Sequence, residues 1–427
     1  MFRLASGVSL RKEGERYFLS FRDSAGRFEE RPARAYELAA LKLVAEGRPL
    51  REVAAEEGLP LALLKKALLA AWQEGLLEKE PSALVRQKGF EGAWFPKEEF
   101  RRAEVFTLQW HLTQRCDLSC RHCYDRSPRR EPTLSEARRV LEELELFCER
   151  MRVFGQISFS GGNPFLYPHF WEVYKEAAAR GFTLAILGNP VPEAELERLL
   201  ALEPPAFYQV SLEGLSETND YLRGPGHFER TLAFLKTLKA HGVSSSVMLT
   251  LHARNLSEVL PLAERLSGLA ETFSFNRLAL SGRGQSLLPA ERKAFERFLE
   301  DYLEASGRLR HLHLKDNLFN RLLYLRGAEV CGGCTGFGCG AAFNFLALLP
   351  DGEVHACRKF PSPLGNLYRE GLYQIYHSEA AQCYREGPRA CRPCRLYGVC
   401  RGCLAVIATS GLNPFEDRDP FCPGPVD

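Results

Sequence analysis

The chain has 427 residues, 45% of them hydrophobic and 26% charged, with a formal net charge of +2. That length supports two or three domains with cores of their own, and the balance is that of a soluble globular protein. The near-neutral charge argues against a polyelectrolyte surface for nucleic acid or an anionic membrane, and fourteen cysteines in so long a chain do not make a small disulfide scaffold. The opening residues, Met1-Phe2-Arg3-Leu4-Ala5-Ser6-Gly7, lack a signal peptide's apolar core, and no apolar run is long enough to span a bilayer. A cytoplasmic location without a membrane partner is expected.

Residues 1–85 read as a unit of their own. Strand-like runs at 8–11 and 16–21 flank a polar turn, and helical periodicity follows over 34–46, 50–57 and 61–74. Gly75-Leu76-Leu77 ends the last helix and leads into a charged strand. Strands, three helices and a strand make the order of a winged helix-turn-helix. This unit holds fourteen Lys/Arg against thirteen Asp/Glu over residues 1–80, and its third helix shows only Lys65 and Lys66. Phosphate contacts need a basic face, so no nucleic-acid partner is expected.

Residues 86–103, punctuated by Gly89, Gly92 and Pro96, read as a linker. From 104 to 308, strands at 105–112, 156–159, 183–187, 208–212, 246–251 and 273–278 alternate with helices at 135–150, 169–180, 192–202, 227–241, 256–266 and 289–305. Six strand–helix units predict an α/β fold, a partial (β/α)6 barrel. A bridging helix is expected over 309–326. Residues 327–427 turn to glycine, cysteine, proline and short strands, a texture that metal ligation holds together better than a core does.

Thr113-Gln114-Arg115-Cys116-Asp117-Leu118-Ser119-Cys120-Arg121-His122-Cys123-Tyr124 follows the first barrel strand, at the end where such barrels place their chemistry. Its Cys-x3-Cys-x2-Cys spacing offers three thiolates to one centre. Such a loop wraps three corners of a cubane cluster and leaves the fourth iron open, whereas zinc sites come as paired Cys-x2-Cys. Downstream, Ser160-Gly161-Gly162-Asn163-Pro164 follows the second strand; its glycines let backbone approach a ligand closely.

On these residues the chain resembles the radical S-adenosylmethionine (SAM) superfamily, whose hallmark is this cysteine spacing followed by an aromatic residue, here Tyr124. The resemblance implies a [4Fe–4S] cluster on Cys116, Cys120 and Cys123, its open iron chelating the amino and carboxylate groups of SAM. One electron then cleaves the sulfonium to a 5′-deoxyadenosyl radical. Gly161, Gly162, Asn163 and Pro164 resemble the family's Gly-Gly-Glu-Pro segment, which contacts the SAM amino group, with Asn163 in place of Glu. Asn189, in Leu187-Gly188-Asn189-Pro190, looks like the family's Thr-Asn-Gly position. Ser211, in Val210-Ser211-Leu212-Glu213-Gly214, and Arg223 resemble residues that bind the SAM ribose and carboxylate.

The C-terminal cysteines, Cys334-x4-Cys339, Cys357, Cys391-x2-Cys394-x5-Cys400-x2-Cys403 and Cys422, are similar to the SPASM domain of radical SAM peptide maturases. The family pattern assigns Cys334, Cys339, Cys357 and Cys403 to one auxiliary cluster, with Cys331 able to replace Cys334. Cys391, Cys394, Cys400 and Cys422 hold the other, making three [4Fe–4S] clusters in all. Two zinc sites are the chemical alternative. Cys148 and Cys383, on expected helices, read as buried, inert thiols. Arg358 stands where sulfatase-maturing relatives carry an Asp base; a guanidinium takes no proton at neutral pH, which argues against aldehyde formation.

The N-terminal unit resembles the leader-recognition element of such maturases, which pairs a leader strand with its sheet edge. Gly161-Gly162-Asn163-Pro164, Leu187-Gly188-Asn189-Pro190 and Gly338-Cys339-Gly340-Ala341-Ala342-Phe343-Asn344 look most like the selenobiotic, or thio(seleno)oxazole-type, maturase subgroup. The resemblance implies an enzyme that modifies a Cys- or selenocysteine-rich precursor peptide, forming a thioether or related crosslink, with electrons from a donor such as flavodoxin or ferredoxin. Epimerisation and sulfatase-type maturation are the enzyme alternatives. A redox-sensing iron–sulfur regulator is the non-catalytic one. No residue is assigned as catalytic acid or base.

Overall fold

The computed structural model describes residues 2–22, 26–48 and 50–427. At the N-terminus β1 (Phe2–Leu4) is followed by β2 (Ser9–Glu13), β3 (Arg16–Arg22) and β4 (Phe28–Pro32), then α1 (Ala35–Glu46), α2 (Leu50–Glu57), α3 (Leu61–Gln73) and β5 (Leu77–Lys79). β2, β3 and β4 form an antiparallel sheet in that order, so β2 and β4 are its edges; β1 pairs with β5 separately. Neither β1 nor β4 is legible from apolar pattern, because β1 is three residues long and β4 reads Phe-Glu-Glu-Arg-Pro. The unit has its own core around Leu19, Phe21, Leu41, Leu64, Leu68 and Leu76. Lys65 and Lys66 on α3 pair with Glu145 and Glu203 at 3.0 and 3.1 Å, so the helix's two cations face the rest of the chain.

The middle of the chain supplies β6 (Val105–Thr113), α4 (Leu134–Met151), β7 (Phe154–Gly161), α5 (Phe170–Ala179), β8 (Thr183–Leu187), α6 (Glu193–Leu202), β9 (Phe207–Ser211), α7 (Ser216–Arg223), α8 (His227–Ala240), β10 (Ser245–Leu251), α9 (Val259–Leu266), β11 (Thr272–Arg277) and α10 (Arg292–Arg308). β6 to β11 are parallel and neighbour one another in sequence order. Among the described residues the sheet stays open: the outer side of β11 meets only an isolated bridge from Phe273 to Leu312. α4 starts where the Thr133 hydroxyl accepts the Glu136 N–H and the Glu136 carboxylate accepts the Thr133 N–H, a reciprocal cap. α7 is an extra helix between β9 and α8, invisible to periodicity because Leu222 is its one buried apolar residue.

Alternate strand residues pack outward against the helices. Phe159 meets Phe170 and Tyr174, Tyr208 meets Phe234, and Phe275 meets Phe298 and Tyr302. Among the intervening positions Thr107, Gln109, Gln156, Gln209, Ser246, Thr250 and Asn276 are half-buried, while Ser158, Ala185, Met248 and Ser274 are buried. Closed barrels fill this face with branched aliphatics; a polar, part-exposed face instead leaves room for a polar guest.

After α10 comes α11 (Phe319–Leu325), shorter than the helix expected over 309–326. Ahead of it, Asn317 donates to the Gly402 carbonyl and accepts the Cys334 N–H, tying this segment to the C-terminal turns instead of extending a helix. β12 (Phe345–Leu348) then pairs parallel with β6, and β13 (Glu353–His355) and β14 (Pro363–Asn366) add antiparallel, giving nine strands in one sheet. The segment expected as a linker is packed: Phe90 stacks on Tyr397 with ring centroids 4.9 Å apart, and Arg86 is buried. Among the described residues no helix is long and apolar enough to cross a membrane.

Arg277, at the end of β11, binds Asp316 at 2.7 Å and makes two bonds to Asp419 at 2.8 and 2.7 Å, with all three side chains buried. Asp419 in turn accepts the Cys403 and Phe421 N–H groups. Arg277→Ala leaves two carboxylates buried without their cation and is expected to cost about 3–5 kcal/mol, read from the urea denaturation midpoint.

Candidate metal centres and active site

The loop after β6 is pinned from every neighbouring strand end. Gly161, the last residue of β7, has φ +138°, which favours glycine. A Cβ on Gly162 would overlap the Arg115 carbonyl and lie 2.7 Å from the Cys116 Cβ, so a larger residue would displace the loop. Asn163 caps the short turn Pro164–Leu166, its side-chain oxygen accepting the Phe165 N–H at 3.2 Å. Two residues beyond β8, the Asn189 amide approaches Cys116 Sγ at 3.7 Å. The Arg121 N–H donates to Leu222 at the end of α7, and the Arg283 N–H donates to the Cys123 carbonyl from the turn Gly282–Ser286.

Glu213, just past β9, organises the charge. It is buried and accepts Arg223 at 2.9 and 2.5 Å, with His122 at 3.2 Å and the Thr250 N–H at 2.7 Å. Burial opposes its charge, yet His122 and Arg223 hold it well below the usual carboxylate range. Thus anchored, Arg223 brings a guanidinium nitrogen to 3.9 Å from Cys120 Sγ. Ser211 ends β9 half-buried beside Met248. Burial pushes the Cys116 and Cys120 thiols up. Tyr124 lies under Arg358, 4.8 Å from its ring centroid, and Arg358 binds Asp125 at 2.6 Å and donates to His111 at 3.3 Å. The first cysteine loop is thereby bonded to the residue that follows Cys357. Engaged this way, Arg358 offers no base.

Cys334, Cys339, Cys357 and Cys403 line one cavity, together with Lys315, Lys359 and Arg277. Cys331, the other candidate by spacing, is not among its lining residues and points its S–H at the Leu314 carbonyl at 3.4 Å. Burial raises the Cys334 thiol and pushes Cys357 up to about 12, with Lys359 opposing both shifts. Lys359 Nζ stands 3.8 Å from Cys403 Sγ. Cys391, Cys394 and Cys422 bear electrostatically on the half-buried Cys400, and burial pushes Cys391 up to about 12.

Between these sulfur groups sit Arg86 and Arg401, both buried, both donating to the Phe337 and Cys339 carbonyls. They flank Phe90 at 5.0 and 5.1 Å, and no carboxylate pairs with either among the described residues. Of the two remaining thiols, Cys148 is buried in α4 as expected. Cys383 is exposed, a correction: its helix, Glu379–Glu386, buries the face carrying Ala381 and Arg385.

Arg401 and Lys359, flanking cysteines in sequence, were within reach of a motif reading, as was Asp117. Arg86 was not, being more than two hundred residues from the sulfurs it serves.

These donor sets suit iron–sulfur clusters better than zinc. A tetrahedral zinc ion with ~2.3 Å bonds draws its sulfurs to about 3.8 Å of each other. Among the described residues, the one group of three ligand-bearing side chains whose donor atoms all lie within 4.8 Å is Glu193, Glu197 and His241, and it contains no cysteine. Wider sulfur sets fit a larger guest.

Residues 110–266 match the Radical SAM superfamily and residues 339–404 match SPASM, an iron–sulfur cluster-binding domain. The chain is 30% identical to mycofactocin maturase MftC of Mycolicibacterium smegmatis over 348 residues, 76% of this chain and 85% of that protein. It is 27% identical to the AdoMet-dependent heme synthase of Methanosarcina barkeri, across 74% of this chain and 95% of the relative. The crystal structure of Streptococcus suis SuiB bound to precursor peptide SuiA shares the fold, with TM-score 0.62, 16% identity and coverage of 99% of this chain and 100% of that one.

Two imidazoles behind the first loop give a pH signature. Burial lowers His227 and His252 to about 4 from the ordinary 6.5. As pH falls below 6.5 the unfolded chain therefore takes up protons first, and stability held above pH 6.5 is lost toward pH 4. The denaturation midpoint is expected to fall over that window, and less steeply in His252→Asn.

Proposed function

Because the chain belongs to the radical SAM superfamily and carries that superfamily's SPASM iron–sulfur extension, we propose that it is a maturase acting on a ribosomally made precursor peptide rich in Cys or selenocysteine. The observation that carries this reading is the three-cysteine loop held at the carboxyl ends of parallel strands, beside a polar strand face, in a fold shared over its whole length with SuiB. The heme synthase relative works on a different class of substrate. The N-terminal unit, with its two free sheet edges, favours a peptide.

In this reading Cys116, Cys120 and Cys123 hold a [4Fe–4S] cluster with an open iron for SAM. Cys334, Cys339, Cys357 and Cys403 hold a second cluster, and Cys391, Cys394, Cys400 and Cys422 a third. A cluster held by Cys116, Cys120 and Cys123 would supply the electron for reductive cleavage of SAM. The chain's own residues bind and orient. Arg223, fixed by Glu213, presents a cation beside Cys120 and the SAM carboxylate. Gly161 and Gly162 keep backbone close under the loop, and Asn189 and Ser211 frame the nucleoside from the ends of neighbouring strands. Gln109, Gln156, Gln209 and Asn276 offer amides to the backbone of an extended core peptide. A leader strand adds to β2 or β4, and a flavodoxin or ferredoxin supplies electrons. The product is a thioether or related crosslink. Arg358, bonded to Asp125 in place of a base, disfavours aldehyde formation.

Anaerobically reconstituted protein is expected to release 5′-deoxyadenosine from SAM. Replacing Cys116, Cys120 and Cys123 by Ala abolishes that release and keeps the auxiliary iron, as measured by iron analysis. Retained turnover, or tetrahedral zinc in the native protein, would overturn the reading.

A labelled leader peptide is expected to bind the full chain, and a proline at Leu10 on β2 or Glu30 on β4 to weaken binding at least tenfold on the edge in use. Unchanged binding in both variants would remove the N-terminal unit from recognition.

A further inference from the structure

The carboxylates around the first cysteine loop are committed to cations, with one exception. Asp125 is bound by Arg358 at 2.6 Å. Glu131 takes two bonds from Arg115 at 2.8 and 2.7 Å. Glu213 is bound by Arg223 and His122. Asp117, the residue after Cys116, pairs with no Lys, Arg or His among the described residues. It is met only by neutral amides, Asn163 Nδ2 at 3.0 Å and Asn189 Nδ2 at 2.7 Å, both on Oδ1. The side chain is exposed, with Oδ2 left over.

The two asparagines come from the loops after β7 and β8, and each has another engagement beside the site. Asn163 uses its oxygen on the Phe165 N–H, and Asn189 also reaches Cys116 Sγ. Neither amide carries charge. Two donors on one oxygen fix the plane of a carboxylate and leave its second oxygen facing outward, an arrangement suited to a cationic or strongly polarised N–H donor. The cations near the loop, Arg115, Arg121, Arg126, Arg223 and Arg283, repel such a group, and the carboxylates Asp125, Glu131 and Glu213 are already paired with cations.

The geometry points to Asp117 as the acceptor for the amino group of SAM, a carboxylate delivered from inside the cysteine loop, with Asn163 and Asn189 as its positioning residues. This rests on the reading that SAM binds at the first loop. The amino group of SAM gains positive character when it is protonated or bound to a metal, and a carboxylate beside Cys116 meets it with a charge-assisted bond. Asn163, at the position where the resemblance places a Glu, then serves by orienting the charge that Asp117 carries.

The test measures SAM affinity by equilibrium dialysis on reconstituted full-length protein kept oxidised, so that binding is read without turnover, alongside iron content. Asp117→Asn is expected to weaken SAM binding at least tenfold with iron unchanged. Adding Asn163→Glu to that variant is expected to recover affinity to within about threefold of wild type, because the carboxylate is restored on the opposite side of the same contact. A SAM analogue lacking the amino group is expected to bind wild type and Asp117→Asn alike. Equal SAM affinity in wild type and Asp117→Asn overturns the assignment. So does a loss of iron in Asp117→Asn with the deaminated analogue equally affected, which makes Asp117 a loop-folding residue. Wild-type protein that binds no SAM overturns the functional reading itself.

Discussion

A thiol drawn partly out of water keeps its proton unless a positive charge offsets the one it would give up, and of the candidate ligand sulfurs in this chain Cys391 is buried while the others are half-buried. Cys116 and Cys120 in the first loop, and Cys334, Cys357, Cys391 and Cys400 downstream, are all pushed upward by desolvation. The fold sets cations against them: Arg223 beside Cys120, Lys359 beside Cys403, and the Arg86–Arg401 pair, which has no carboxylate partner among the described residues. Neutral thiols beside buried cations satisfy neither partner, whereas metal-bound thiolates satisfy both. Metal bound at these cysteines would couple ligation to folding in the C-terminal segment.

That coupling would extend across the chain because the C-terminal unit is continuous with the barrel. β12 joins β6 in one parallel sheet, Arg358 bonds Asp125 two residues past Cys123, and Arg277 grips Asp419 across the Cys403 backbone. The first cysteine loop is thus tied by the Arg358–Asp125 bond to the chain that follows Cys357 in the four-cysteine cavity. The sheet presents a largely polar strand face and an open edge where a closed barrel would carry a filled apolar interior.

The barrel's six strands and most of its helices were legible because their apolar positions recur at regular intervals. α7 was not, since it buries almost nothing apolar, and β1 and β4 were too short or too charged to carry a pattern. Residues 86–103 look like a linker by their glycines and prolines, yet Arg86 and Phe90 are packed between distant cysteine-bearing turns. Cys383 read as buried because helix position alone does not say which face meets the core.

Sulfur spacing, strand alternation and punctuation by glycine are local quantities, and from them the three-cysteine loop and the order of the barrel strands could be read, whereas the grouping of the C-terminal cysteines came from the family resemblance. Charge pairing is not local. Whether Glu213 anchors Arg223, whether Arg358 faces Asp125, and which carboxylate stays without a cation depend on which side chains converge after the strands align. Electrostatic energy falls with distance in space, not with separation along the chain. Only the tertiary structure decided those partnerships.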